Sequence, residues 1–278
     1  MTAVRRQDWL TVVAGAVAAA GLMQCARPAT LPPPASWSPP VQPLLPCPDD
    51  MAEVPGESGI FCVDRYEAAL VRRQAGGKST PWPSNKPVDG SESEVIAVSR
   101  AAQKPQGYIS GVQATLACQQ AGKRLCLPSE WQAACRGPEH TRYPYGDTRR
   151  AGVCNDRFDK PTEHPVTRLF ELTKKRGDHP AQMWTPSFMN DPRLHELPST
   201  VTSTGAFSKC TNAYGVFDMV GNLHEWVADP KGTFMGGFFM DTRLNGEGCA
   251  YRTTAHDFGY HDYSTGFRCC ADAGKPRP

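Results

Sequence analysis

The chain has 278 residues, and its 30 Lys and Arg against 28 Asp and Glu leave a formal net charge of +2, without the basic surplus of a nucleic-acid binder. Apolar content of 40% is enough for a packed core, while 25 Gly and 26 Pro exclude a helical bundle and favour a loop-rich body. Eleven cysteines point to disulfides and an oxidising compartment.

The N-terminus agrees with that compartment. Arg5 and Arg6 precede an apolar run from Leu10 to Met23, too short for a comfortable membrane span, which reads as a signal peptide over residues 1–25. Leu22-Met23-Gln24-Cys25 resembles a lipoprotein cleavage box, and setting Cys25 aside for lipidation leaves an even ten cysteines. The expected location is therefore the periplasm or cell surface, with membrane contact only through a lipid anchor. Residues 26–48 form a Pro-rich linker, with nine prolines from Pro28 to Pro48, a composition that favours extended polyproline II and cannot bury a core. The folded body is expected over 49–273, followed by a polar tail at 274–278.

Within the body two segments read as helices. Ser110 and Gln113 make a capping box that opens a helix over Val112–Ala121, stopped by Gly122. A second helix starts near Pro128, with Glu130 in its first turn, Leu127, Trp131 and Ala134 on one apolar face, and Gly137 at its end. Short strand-like pieces lie at Ile60–Val63, Phe234–Phe239 and Gly266–Cys270. The fold class is α+β, irregular and loop-rich, and such loops need disulfides or ions to hold them. Trp131 and Trp226 read as core residues.

Five blocks of the body then carry a resemblance. Gly122-Lys123-Arg124-Leu125, Glu130-Trp131 with Tyr143-Pro144-Tyr145-Gly146-Asp147, Asn212 to Trp226, Gly236-Gly237, and Gly266-Phe267-Arg268-Cys269 resemble, in order, the blocks of formylglycine-generating enzymes, the sulfatase-modifying factors. The resemblance spans about Gly59 to Asp272 and implies a disulfide-braced fold related to C-type lectins. It also implies bridges Cys118–Cys269 and Cys135–Cys249, each closing a loop worth about 4–5 kcal/mol in the chain-entropy model. Of the other six cysteines, Cys154 and Cys210 flank the central insertion and are the favoured pair. The partners of Cys47, Cys62, Cys126 and Cys270 stay open.

The family oxidises a substrate cysteine to formylglycine with oxygen and copper, the metal being held by two thiols that follow the Gly-Gly pair. Soft thiolates suit Cu(I). Here the stretch from Gly236 to Gly248 has no cysteine, and Asp241 stands in place of the first thiol. The expected catalytic set is therefore empty, and copper is not expected. Cys249, 20 residues before Cys269, fits the structural bridge.

The block from Asp218 to Glu225 implies a calcium turn: a side-chain oxygen of Asp218, carbonyls of Gly221 and Leu223, and the carboxylate of Glu225, all hard oxygen ligands. Asn155 and the Asp156 carbonyl would belong to a second calcium site. His256-Asp257 and His261-Asp262 are residue types that a 2-His-1-carboxylate iron site uses, but the family branch with such iron takes its histidines from an additional helical domain, and iron is not expected. No Gly-x-Ser-x-Gly, P-loop, dinucleotide or zinc pattern occurs. The sequence reading is a cell-envelope, pseudoenzyme-like domain that binds a peptide, glycan or envelope protein. Its alternative is a metal-dependent oxidoreductase, including formylglycine generation.

Overall fold

The computed structural model describes residues 47–157 and 164–274. The signal peptide, Cys25, most of the Pro-rich linker and residues 275–278 of the tail lie outside the described residues.

Three small sheets and two principal helices make the body. In the first sheet β1 (Met51–Gly56) pairs antiparallel with β2 (Gly59–Asp64), and β11 (Cys269–Asp272) joins β2 to β6 (Arg124–Leu125). In the second, β10 (Thr265–Phe267) runs parallel to β7 (His224–Trp226), which is followed by β8 (Phe234–Met235) and β9 (Arg252–Thr253). The third places β3 (Ala68–Arg73) between β4 (Ser79–Pro81) and β5 (Val95–Ser99).

Helix α1 (Gly111–Gln120) carries the expected reciprocal capping box, with Gln113 N donating to Ser110 Oγ and Ser110 N donating to Gln113 Oε1. Helix α2 (Pro128–Arg136) opens on Pro128, and Leu127 N donates to Glu130 Oε2 at 2.8 Å. Gly122 and Gly137 both sit at positive φ just beyond the two helices, where a side chain would be strained. Trp131 centres one core with Phe61, Val63 and Met219, and Trp226 centres a second with Leu125, Ile109 and Phe267.

Two strand expectations need correction. Phe234–Phe239 is strand only over Phe234–Met235, because Gly236 (φ +83°) and Gly237 (φ +71°) turn the chain and Phe238 pairs back to Asp241. Gly266–Cys270 is not one strand: Thr265–Phe267 and Cys269–Asp272 belong to different sheets, and the chain changes sheet at Arg268. The central insertion, expected as loop, contains α3 (Pro165–Thr173) and the short α4 (Pro186–Met189). Helix α3 buries Val166, Leu169 and Phe170 in a third core.

Five disulfides brace the body. They pair Cys47 with Cys62, Cys118 with Cys269, Cys126 with Cys270, Cys135 with Cys249, and Cys154 with Cys210. Adjacent Cys269 and Cys270 point to opposite faces of β11, as strand geometry requires, and so reach α1 and the loop before α2 separately.

Candidate functional site

The sheet change at Arg268 drives its side chain into the interior, where it is fully buried. Nε and Nη2 donate to the two oxygens of Glu225 at 2.6 Å each, and the remaining fork donates to the carbonyls of Asp64 (3.0 Å) and Phe217 (2.8 Å). A planar guanidinium suits this arrangement because its donors match a carboxylate in pairs. Trp131 Nε1 also donates to Glu225 Oε2 at 2.7 Å. The same junction holds a second buried ion pair, Lys123 with Asp64, whose other oxygen accepts from Cys269 N.

The turn before β7 is strained. Asp218 (φ +59°) and Asn222 (φ +57°) both adopt left-handed backbone conformations that non-glycine residues seldom take. Gly221 (φ +83°) must be glycine, since a Cβ would lie 2.2 Å from Asn155 O. Asp218 Oδ2 accepts from Gly205 N at 2.7 Å. Glu67, which the sequence reading did not single out, accepts from Asn222 Nδ2 (2.5 Å) and Leu223 N (3.1 Å).

Glu67, Asp218 and Glu225 are all buried, as is Arg268. Burial, reinforced by the charges of Asp218 and Glu225, holds the Glu67 carboxyl well above the usual carboxylate range. Burial likewise pushes Asp218 up to about 6. Three carboxylates thus surround one guanidinium, an excess of buried negative charge that opposes ionisation.

The expected calcium ligands are brought together differently from the sequence reading. Glu225 accepts from Arg268 on both oxygens and from Trp131 on Oε2, so its charge is shared with the guanidinium. Asn155, assigned to a separate site, lies against the first turn: its carbonyl accepts from Asn222 N (3.0 Å), and its Nδ2 donates to Asn222 Oδ1 (2.9 Å) and Thr200 O (3.0 Å). Asn155 Oδ1 is buried without a hydrogen-bond partner. The Asp156 carbonyl accepts from Arg149 Nη2 at 2.6 Å, and its carboxylate takes Arg149 Nε at 2.8 Å. Arg149 thus lies against the Asp156 carbonyl that the sequence reading gave to a second calcium site. Among the described residues, no three His, Cys, Asp or Glu side chains gather as a metal cage.

Asp241 closes its own turn. Oδ1 accepts from the backbone of Arg243 (2.8 Å) and Leu244 (3.0 Å), while Oδ2 accepts from Tyr251 Oη (3.0 Å). The carboxylate is spent on the loop where the resembled family keeps its first thiol, and Cys249 at the loop's end is bonded to Cys135. A cleft of about 410 Å³, lined by Arg142, Tyr143, Asp147, Arg149, Arg243 and Glu247, flanks this loop.

The two histidines of the His-Asp pairs have different partners. His256 stacks on Tyr260 with ring centres 3.6 Å apart. His261 Nδ1 faces Asn190 Oδ1 at 2.7 Å. Glu67, Tyr251 and Arg149 are the functional neighbours that sequence reading missed. Arg149 and Tyr251 act on partners seven and ten residues away, whereas Glu67 acts across 155 residues.

A family model described as sulfatase-modifying factor enzyme 1-like domain matches residues 63–273. The formylglycine-generating enzyme of Thermomonospora curvata is 27% identical over 198 residues, covering 60% of this chain and 55% of that protein. The Bos taurus protein named inactive C-alpha-formylglycine-generating enzyme 2 is 25% identical over 183 residues, covering 62% and 52%. The matches span about half the length of these curated relatives. Among solved structures, CarF overlays with a TM-score of 0.43 and 19% identity, covering 81% of this chain and 98% of its own.

Proposed function

The chain belongs to the family of sulfatase-modifying factor enzyme 1-like domains, and from that premise we propose that it is a non-catalytic, exported member that binds a peptide, glycan or envelope protein. The observation that carries the reading is the 236–249 loop. Asp241 takes the first thiol's place and is consumed by three hydrogen bonds within the loop and its flank, and Cys249 is bridged. All ten cysteines among the described residues are disulfide-bonded, so none of them offers the thiolate that Cu(I) requires. The similarity to a relative named inactive supports the same reading. Five disulfides in one domain support an oxidising compartment, and the polar cleft beside the loop offers a surface for a polar ligand.

The Asp218 turn fits a hard cation that braces the fold. Its excess of buried carboxylate, its strained backbone and the partnerless Asn155 Oδ1 all favour one. Asp218, the carbonyls of Gly221 and Leu223 and the carboxylate of Glu225 would hold it, Glu225 sharing its charge with Arg268. Bound there, calcium would neutralise charge and take no part in chemistry.

The test is to incubate the purified, copper-loaded protein with a cysteine peptide under oxygen and follow the peptide mass. The expected result is unmodified peptide. Copper-dependent conversion of the cysteine to formylglycine would overturn the proposal and restore the oxidoreductase reading.

A further inference from the structure

The insertion at 164–200 meets the rest of the body through histidines. Its base is closed by the Cys154–Cys210 bridge. Its apolar face, Val166, Leu169, Phe170 and Leu194, packs with Tyr108, Phe239 and Tyr263 of the body, and Phe238 and Met240 lie at the margin of the same cluster. The insertion therefore covers the segment immediately before Asp241.

Three of the polar contacts that secure it use an imidazole. His164 Nε2 lies 3.2 Å from Tyr263 Oη, and its Nδ1 is buried with no hydrogen-bond partner. His195 Nε2 bonds the Tyr263 carbonyl, with its ring 4.6 Å from that of Tyr108. The ring sits so close to Gly107 that a Cβ there would lie 2.3 Å from His195 Cε1. His261, on the body, faces Asn190 of the insertion at 2.7 Å and Asp89 at 3.4 Å. Others need no histidine, among them the bond from Tyr108 Oη to the Asp191 carbonyl at 2.9 Å.

We propose that residues 164–200 form a lid over Phe238–Met240 that neutral His164 and His195 hold shut and that acid releases.

The charged and titratable groups around these two rings do not compensate a proton. His164 faces Tyr263 and Trp184. His195 faces Tyr108 and Tyr263, and the nearby Lys104 repels a second positive charge. Of the neighbouring carboxylates, Asp191 is paired with Arg193, Glu196 accepts from Asn85, and Asp262 accepts from Tyr260 and Ser264. If His164 Nε2 accepts from Tyr263 Oη, a second proton removes that acceptor; if it donates, the proton falls on Nδ1, where no partner stands. His261 differs in that a carboxylate, Asp89, stands 3.4 Å from its Nε2.

Burial lowers His164 and brings His195 down to about 4, whereas an undocked histidine titrates near its usual ~6.5. A docked value below the undocked one means docking is complete above about pH 6.5 and is lost as pH falls toward 4. For His195 alone, moving from pH 7.5 to 5 lowers the docking constant by at most about 30-fold, an upper figure because the residue is partly exposed.

Hydrogen exchange of the full exported protein, disulfides intact, tests this at pH 7.5 and 5.0 with rates corrected for intrinsic chemistry. Peptides from 165–197 and 238–241 should lose protection by up to about 30-fold at pH 5.0 while β2 and α1 peptides hold. In His195→Gln the remaining pH dependence should be the smaller part due to His164, and in His164→Asn/His195→Gln it should vanish. Unchanged protection of 165–197, equal loss in β2 and α1, or full pH dependence in the double variant would overturn the proposal. If the variants fail to dock at pH 7.5, direct titration of His195 in the unmodified protein decides: a value near 6.5 refutes the lid and one near 4 supports it.

Discussion

Replacing Arg268 by Met should unbalance the buried charge of the interior. The guanidinium is fully buried and makes two 2.6 Å bonds to Glu225 and bonds to the carbonyls of Asp64 and Phe217. Without it Glu225 stands buried beside Glu67 and Asp218 with no positive partner, and breaking a buried pair from one side costs about 3–5 kcal/mol. For a body of this size that corresponds to a loss of roughly 6–20 °C in Tm. The assay is denaturant and thermal unfolding with all disulfides intact. Adding Glu225→Gln to Arg268→Met removes the orphaned charge, and the pair should show a favourable coupling of roughly 1–3 kcal/mol. A single-variant loss below about 1 kcal/mol, or strict additivity of the two changes, would refute the claim that Arg268 neutralises this carboxylate cluster.

Three further outcomes are expected. Asp241→Ala should destabilise by roughly 2–3 kcal/mol, because a buried carboxylate with three donors is lost and those donors are left unpaired; Asp241→Asn, measured by the same unfolding curves, should cost less. Calcium at a hundred times its dissociation constant should raise stability by about 2.7 kcal/mol over chelated protein, and Asp218→Ala should abolish that difference; a Tm indifferent to calcium would remove the cation from the account. Serine at Cys154 and Cys210 opens a loop of 56 residues and should cost about 4 kcal/mol in the chain-entropy model, read as a shift in the denaturant midpoint.

Helices α1 and α2 were legible because their signals are local: a capping box, a proline at the first turn, glycines just beyond the ends. The strand errors come from the opposite situation. Phe234–Phe239 has a strand's apolar composition, but Gly236 and Gly237 turn it by adopting φ values that no pattern of hydrophobicity encodes. Gly266–Cys270 breaks at Arg268, whose burial depends on Glu225, 43 residues earlier. Helix α3 did carry a helical spacing in Val166, Leu169 and Phe170, which its place inside a divergent insertion obscured. At the candidate site, the Asp218–Glu225 block stood out as a motif. The charge balance around it did not, because Glu67 lies 155 residues before Asn222 and nothing beside it in the chain marks its destination. Arg149 reaches Asp156 in the same way, through a contact seven residues distant that only the folded loop creates.

The measurement that tests the central claim most directly is a thiol count with disulfide mapping, by alkylation and peptide mass spectrometry of protein purified without reductant. Ten paired body cysteines are predicted, with Cys249 joined to Cys135 and no alkylated thiol between Cys47 and Cys270. A free, reactive Cys249 would contradict this, placing a thiolate beside Asp241 and returning copper chemistry to the domain.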